Sequence, residues 1–94
     1  MHTVVVRMSI DPARADEAAR HVREDVVGWA QQQPGFVHGQ WLRSDDGREG
    51  MGVVVFASAD AAATAAHGPR RYARDDNRAW NVESVTVYEQ LTSA

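Results

Sequence analysis

Two histidines are the side chains best suited to proton transfer in this sequence. Imidazole titrates near neutral pH, so a histidine can act as a general base or a general acid. His38 lies in a segment with strand-like alternation, and His67 ends an alanine-rich segment. We therefore name His38 and His67 as candidate catalytic residues; the alternative is that each is an ordinary surface or half-buried histidine. The four histidines of the chain lack the spacing of metal ligands, and we predict no metal site.

An arginine-rich segment follows His67. Arg70, Arg74 and Arg78 recur at every fourth residue, so a short helical turn between residues 70 and 80 would place them on one side, with Tyr72 nearby. Guanidinium groups bind carboxylates in a bidentate way, which makes Tyr72 and Arg74 candidates for binding an anionic substrate. In the alternative, the aspartates of the same segment neutralise these charges and the side faces water.

Two further candidates for substrate binding lie on predicted strands. Arg7 falls on the more polar face of the first strand. A charge inside a barrel needs a partner, which could be a ligand or a carboxylate such as Glu83 or Glu89. Trp41 and His38 fall on opposite faces of the second strand by parity, so at most one of them faces the helices.

The composition excludes several kinds of chemistry. The 94 residues include no cysteine, and all ten basic residues are arginine, so neither a reactive thiolate nor a lysine Schiff base can form. The formal net charge of -3 gives no indication of a polyanionic partner. The sequence shows no signal-peptide pattern and no apolar run long enough to span a bilayer. We therefore expect a cytoplasmic protein with no membrane partner.

A small number of elements must position these side chains. Runs of β-branched residues with period-two alternation predict four strands, over residues 3–10, 36–43, 50–57 and 82–91. Asp11-Pro12 supplies a helix N-cap and a proline at the first helical position, and Pro34-Gly35 ends the helix that follows. Ser58 caps a second helix that we expect to end at about His67, because the glycine and proline that follow should break it.

The order βαββαβ predicts a ferredoxin-like α+β sandwich with a four-stranded antiparallel sheet, as a single domain over residues 1–94. Its third strand is apolar on both faces: Met51 and Val53 point one way, Val54 and Phe56 the other. Two helices cover only one face. A Val or Met side chain left exposed on the other face loses a burial free energy of about 1.5 to 3 kcal/mol. We therefore expect a homodimer that pairs sheet to sheet, a dimeric α+β barrel. A monomer with a more polar second face and pairing along an edge strand are the alternatives.

The third strand also fits the spacing of an RNA-recognition motif, Gly-Phe-Gly-Phe-Val-x-Phe. Recognition by that motif depends on two aromatic side chains that stack on bases. Met51 and Val53 occupy those two positions here. Together with the acidic net charge, this predicts no nucleic-acid partner.

Several stretches resemble the antibiotic biosynthesis monooxygenase family of dimeric α+β barrels. They are Pro34-Gly35-Phe36-Val37-His38-Gly39, then Val53-Val54-Val55-Phe56-Ala57-Ser58 and the helix start Ala59-Asp60-Ala61-Ala62. The resemblance implies a homodimer with a small-molecule pocket between the helices and the sheet of each subunit. Characterised members include cofactor-independent oxygenases of polycyclic phenols and quinols, and heme-degrading oxygenases.

The functional residues of those members match this chain poorly. Heme-degrading members have an Asn on the first strand, where this chain has Val6 or Arg7, and a Trp on the second helix, which has none here. They also have a His shortly after that helix, a segment without His here. Polyketide-acting members place Asn, Trp and Tyr at positions nearest to Gly52, Phe56 and Ala62. The resemblance therefore implies the fold and a pocket more directly than a reaction.

Two functional hypotheses remain. In the first, the chain is a small-molecule-pocket protein of the monooxygenase-like family, an oxygenase or isomerase that acts on an aromatic or polyketide-like metabolite without a cofactor. In the second, it is a noncatalytic ligand-binding or accessory barrel protein. A pocket lined only by Ala, Val and Phe, with no His or Arg reaching in, would favour the second.

Overall fold

The computed structural model describes all 94 residues, and its four strands form one antiparallel sheet. The strands are β1 His2–Ile10, β2 Phe36–Arg43, β3 Glu49–Phe56 and β4 Trp80–Glu89, in the spatial order β2-β3-β1-β4. A first helix covers residues 15–31 and a second helix covers Ala59–Arg70. The ferredoxin-like α+β fold that the sequence predicts is thereby confirmed.

The register of the central strands separates the two faces of the sheet. On β1, Val4 lies between Val54 and Val87. These side chains point toward the helices, and we call this side the inner face. Val5 pairs with Val53 on β3 and belongs to the opposite side, which we call the outer face. Both faces of β3 are therefore apolar, as the alternation predicts.

The inner face carries two separate hydrophobic clusters. The cluster under the second helix contains Val4, Val54, Phe56, Ala62, Ala65 and Ala66. The cluster nearer the first helix contains Met8, Ala18, Ala79 and Trp80. Because the buried side of the second helix consists of alanines, its backbone approaches the sheet closely. Space remains on the inner face between the two clusters.

The first helix begins as the sequence predicts but is not regular. The Asp11 carboxylate accepts a hydrogen bond of 3.0 Å from the Ala13 backbone N–H and so caps a 3₁₀ turn over Pro12–Arg14. The helix then runs as α-helix over Ala15–His21, as π-helix over Val22–Val26 and again as α-helix over Val27–Gln31. A π-turn inserts an extra residue and redirects the side chains beside it, and such turns occur often at functional sites.

Three local expectations are wrong. The second helix passes through Gly68 and Pro69 and ends at Arg70, because a proline in the last turn removes only one hydrogen bond, and the Arg71 N–H bonds the carbonyls of His67 and Gly68. Residues 71–79 form turns and irregular backbone, so no helix aligns the arginines of that segment. β4 begins at Trp80 and ends at Glu89, two residues earlier at each end than expected. Neither helix is long and apolar enough to cross a membrane.

Candidate functional site

A cavity of about 300 Å³ lies between the helices and the inner face, where the two hydrophobic clusters do not meet. Most of its lining is apolar, and five of the side chains are aromatic: Trp29, Trp41, Phe56, Tyr72 and Trp80. His21 and Asp25 are the ionisable groups in the lining apart from the Tyr72 phenol. A mostly apolar cavity with a few convergent polar groups is the usual form of a small-molecule site.

The indole of Trp41 forms the wall of the cavity along β2 and β3. A β-carbon on Gly39 would lie 2.8 Å from this ring, and one on Gly52 would lie 3.2 Å from its Nε1 atom. Trp41 can therefore lie flat against the sheet because both positions are glycine. Its ring also occupies the space into which any side chain at position 52 would project.

Trp29 connects the two helices at the edge of the cavity. Its ring packs on Gly68 of the second helix so closely that an added β-carbon would lie 2.5 Å from Trp29 Cζ2. Trp29 is 43% exposed, and Tyr72, also in the lining, is 41% exposed. The cavity therefore opens to solvent beside these two aromatic rings.

A polar group of three side chains forms the wall next to the π-turn. The Trp80 indole Nε1–H donates a hydrogen bond of 2.8 Å to His21 Nδ1, and the two ring centroids are 5.4 Å apart. On the other side of the imidazole, His21 Nε2 lies 3.4 Å from Asp25 Oδ2, one helical turn further along. The first helix thus places an imidazole and a carboxylate together at the cavity, and β4 adds the indole that bonds the imidazole.

Tyr72 is held against this wall by its neighbours. Its ring centroid lies 5.1 Å from that of Trp80, and the Arg78 guanidinium lies over the Tyr72 ring, 4.6 Å from its centroid. Arg78 also donates to the Asn81 side-chain oxygen at 3.1 Å, and buried Asn81 bonds the backbone of Asp75. The irregular segment 71–79 is therefore anchored where it contributes to the cavity.

The structure brings together two of the six side chains that the sequence names as site candidates. Trp41 and Tyr72 both line the cavity. His38 is exposed on the outer face, where it pairs with Val55, and His67 is exposed on the second helix outside the lining. Arg7 is exposed on the outer face beside Met51 and Ser84, and Arg74 lies on the exterior. Nothing in the structure brings His38, His67, Arg7 and Arg74 to the cavity.

The candidates named from the sequence do not include His21, Asp25 or Trp80. His21 and Asp25 are four residues apart at the edge of the apolar stripe of the first helix, a spacing that places them on one side. That spacing is the local signal that could have identified them. Trp80 is buried, and its indole N–H donates to His21.

Arg74 forms an ion pair network outside the cavity. Its guanidinium lies 2.9 Å from Glu83 and 3.3 Å from Asp76, and these carboxylates raise its pKa. Glu83 also accepts a hydrogen bond of 2.6 Å from the Ser9 hydroxyl. The Ser9 hydroxyl and the Arg74 guanidinium hold the pKa of the Glu83 carboxyl below its usual range.

This network predicts a pH-dependent effect of the Glu83→Gln substitution. Because the pKa of Glu83 is lower in the folded chain, the ionised carboxylate stabilises the fold at neutral pH, and this contribution is lost as pH falls through the folded pKa. We expect Glu83→Gln to melt slightly below the wild type at pH 7 and by a smaller margin near pH 3, below the ordinary pKa of a glutamate. The measurement is thermal unfolding by far-UV circular dichroism at both pH values.

The matched control for this prediction is Glu24→Gln, which removes an exposed carboxylate that takes part in none of the ion pairs. The melting temperature of Glu24→Gln should differ from that of the wild type by the same amount at both pH values. A wild-type advantage over Glu83→Gln that stays constant between pH 7 and about pH 3 would contradict the assigned role of the carboxylate.

Comparison with curated protein sequences gives no significant match. Among solved structures, the heme-degrader MhuD from Mycobacterium tuberculosis, with two hemes bound in its active site, has a TM-score of 0.76 at 17% identity, over 100% of this chain and 99% of that chain. A Streptomyces coelicolor monooxygenase in complex with nanaomycin D has a TM-score of 0.64 at 15% identity, over 99% and 89% of the two chains. SnoaB, a cofactor-independent oxygenase from Streptomyces nogalater, has a TM-score of 0.60 at 18% identity, over 98% and 94%.

At these identities the solved structures support the fold alone. The sequence profile of a family gives the more specific result, because it matches residues 1–74 of the 94 in this chain. That match includes both helices and the first three strands, which contribute most of the cavity lining. The chain belongs to the antibiotic biosynthesis monooxygenase family.

Proposed function

We propose that the cavity binds a flat, mostly apolar aromatic metabolite and that the chain oxidises it with molecular oxygen without a cofactor. The observation that supports the proposal is the lining: five aromatic side chains surround a space of about 300 Å³, and an imidazole and a carboxylate meet at one wall. Aromatic rings favour stacked or edge-on contact with a planar ligand. Trp41 and Tyr72 are the two proposed ligand contacts that the sequence also identifies.

Oxygenation without a cofactor requires that the substrate supply all the electrons. For an anthrone-type substrate, a ring methylene loses a proton to give a carbanion, which reduces oxygen. One oxygen atom becomes the new carbonyl and the other leaves as water together with the two methylene hydrogens, so the substrate is oxidised to a quinone. The protein must accept the first proton, and a positioned carboxylate or imidazole is suited to this task. Asp25 is the cavity-lining group that is free to accept it, because Nδ1 of His21 already accepts the Trp80 N–H.

The residues of this cavity do not fit heme as an iron-bound group. His21 is the one imidazole in the lining, and its Nδ1 lone pair already accepts the Trp80 N–H. Its Nε2 faces the Asp25 carboxylate, an arrangement that favours a proton on that nitrogen. A ligating imidazole needs a free lone pair, so neither nitrogen of His21 is available to iron.

Oxygen uptake with anthrone as substrate tests the proposal. We expect the protein to accelerate oxygen consumption and anthraquinone formation at least tenfold over buffer. Ala65→Leu places a larger side chain in the cavity and should abolish most of the acceleration. Ala63→Leu is the matched control, because Ala63 is exposed on the same helix, and it should retain the wild-type rate.

Binding without turnover is the second candidate function, and one observation favours it. The Trp80 hydrogen bond occupies the basic nitrogen of His21, which leaves Asp25 as the sole free proton acceptor of the pair. Calorimetric binding of anthrone with no acceleration of oxygen uptake would support a noncatalytic ligand-binding protein. Absence of both binding and uptake would contradict an aromatic-binding cavity.

We further propose that a second copy of the chain covers the outer face and completes a dimeric α+β barrel. Val5, Met51 and Val53 form an apolar centre on that face, and Leu42 and Tyr88 flank it with 50% and 54% of their surface exposed. Burial of such side chains contributes about 1.5 to 3 kcal/mol each. Sheet-to-sheet pairing of two copies would bury this face on both chains at once.

A further inference from the structure

The proton of the His21 imidazole is confined to one nitrogen by its two neighbours. An indole N–H is only a donor, so the Nδ1 atom that receives it at 2.8 Å must present a lone pair. A neutral imidazole then carries its hydrogen on Nε2. The nearby Asp25 carboxylate favours the same arrangement, because an anion stabilises an adjacent N–H. Two independent contacts therefore define one tautomer.

The Nε2–H of His21 remains available to a ligand. Its distance of 3.4 Å to Asp25 Oδ2 exceeds the 2.7 to 3.2 Å range typical of N–H···O hydrogen bonds. The Asp25 side chain is 70% exposed, so water can satisfy that carboxylate. His21 and Asp25 both line the cavity, so an oxygen acceptor bound there can reach the imidazole N–H.

The other ring donors of the lining are placed differently. The Trp41 indole lies flat on the sheet, with Nε1 beside Gly52, and the Trp80 N–H is already bonded to His21. Trp29 and Tyr72 stand at the exposed edge of the cavity. His21 therefore offers a ring N–H whose direction is set by a hydrogen bond within the wall. A donor held in this way loses little rotational freedom on binding.

We propose that the Nε2–H of His21 donates a hydrogen bond to a carbonyl oxygen of the ligand and so selects aromatic ketones and quinones over hydrocarbons of the same shape. Trp80 acts as the positioning residue, because its N–H holds the imidazole in the donating tautomer. This inference rests on the proposed binding of an aromatic ligand in the cavity and adds the chemical group by which the ligand is chosen. It assigns His21 the role of a hydrogen-bond donor rather than a base.

Two matched probes test the assignment by calorimetry. Fluorene-2-carboxylate and 9-fluorenone-2-carboxylate share a flat tricyclic skeleton and a solubilising carboxylate, and differ in the ring carbonyl. We expect the wild type to bind the fluorenone probe about tenfold more tightly, the effect of one net hydrogen bond. His21→Phe keeps a ring at this position and should bind both probes equally, with the fluorene affinity retained.

Two more variants separate hydrogen bonding from packing. Trp80→Phe keeps an aromatic ring but removes the N–H, so the preference for fluorenone should fall to about twofold to threefold. His21→Gln restores an amide N–H and should recover a part of the preference that His21→Phe loses. In infrared spectra, the ketone stretch of the bound fluorenone probe should lie at lower frequency in the wild type than in His21→Phe, because a hydrogen bond weakens the carbonyl bond.

The outcomes distinguish this inference from the proposed function. Equal affinity of the wild type for the two probes, or an undiminished preference in His21→Phe, would overturn the role of His21 and leave an aromatic-binding cavity in place. Failure of the wild type to bind either probe would contradict the proposed function itself and the inference with it. An unshifted ketone stretch alongside a tenfold preference would also overturn the assigned hydrogen bond.

Discussion

Phe56→Ala is expected to destabilise the fold by about 3 to 5 kcal/mol, which is the usual loss when a buried phenylalanine is truncated. Phe56 is 2% exposed and is the largest side chain that is fully buried. It lies on β3 under the second helix, where its neighbours include Ala62 and Ala66. These methyl groups are too short to fill the space left by the ring, so the cavity term should be large.

Urea unfolding followed by far-UV circular dichroism, at one fixed protein concentration, measures this loss. A domain of this size has about 5 to 15 kcal/mol of total stability, so the variant should unfold at a much lower urea concentration. Leu91→Ala is the control, since Leu91 is 88% exposed, and it should change stability by less than about 0.5 kcal/mol. A loss of under about 1 kcal/mol for Phe56→Ala would mean that the second helix does not pack on β3 as described.

Val53→Asp is expected to convert the proposed homodimer into a monomer. Val53 lies on β3, one of the two central strands, and pairs with Val5 and Gln40 on the outer face. A two-fold interface would contain the new carboxylate twice, and an unpaired buried charge costs several kcal/mol. The inner-face core contains no part of this side chain, so each chain should still fold.

Light scattering coupled to gel filtration measures the mass directly. The wild type should have twice the 10.4 kDa mass of one chain, and Val53→Asp should have the mass of one chain. Ala63→Asp adds the same charge at an exposed position of the second helix and should leave the wild-type mass unchanged. A monomeric wild type would refute the proposed dimer. A dimeric Val53→Asp would place the interface elsewhere, for example along an edge strand.

The strands of this chain were predictable because the information that specifies them is local. Alternation alone places Val53 and Val54 on opposite faces of the third strand, and the register adds that Val54 shares its face with Val4 and Val53 shares its face with Val5. The first helix could also be located, from the cap at Asp11. The sequence contains no comparable signal for the π-turn within that helix.

The segment after the second helix was not predictable in the same way. The spacing of Arg70, Arg74 and Arg78 favours a helix, but each guanidinium bonds a group outside any helical turn: the Val85 carbonyl, the Glu83 carboxylate and the Asn81 side chain. All three partner groups lie on β4. Bonding to β4 therefore overrides local spacing in this segment.

The polar wall of the cavity depends on residues that are distant in sequence. Trp80 and His21 are 59 residues apart, and nothing near either residue indicates that the indole N–H will determine the imidazole tautomer. Trp41 was identifiable as a side chain of the second strand that could face the helices, and Tyr72 as a neighbour of the regularly spaced arginines. The chemistry of the site was not identifiable, because it arises from a contact that only the tertiary structure creates.

All three tryptophans of the chain line the cavity. The tryptophan fluorescence of the protein therefore originates at the candidate site, from one indole on the sheet, one at the exposed edge and one bonded to an imidazole. A quinone or aromatic ketone that enters the cavity would approach all three emitters and quench them together. Emission can thus serve as a label-free screen of metabolite collections that requires neither an engineered reporter nor a labelled competitor.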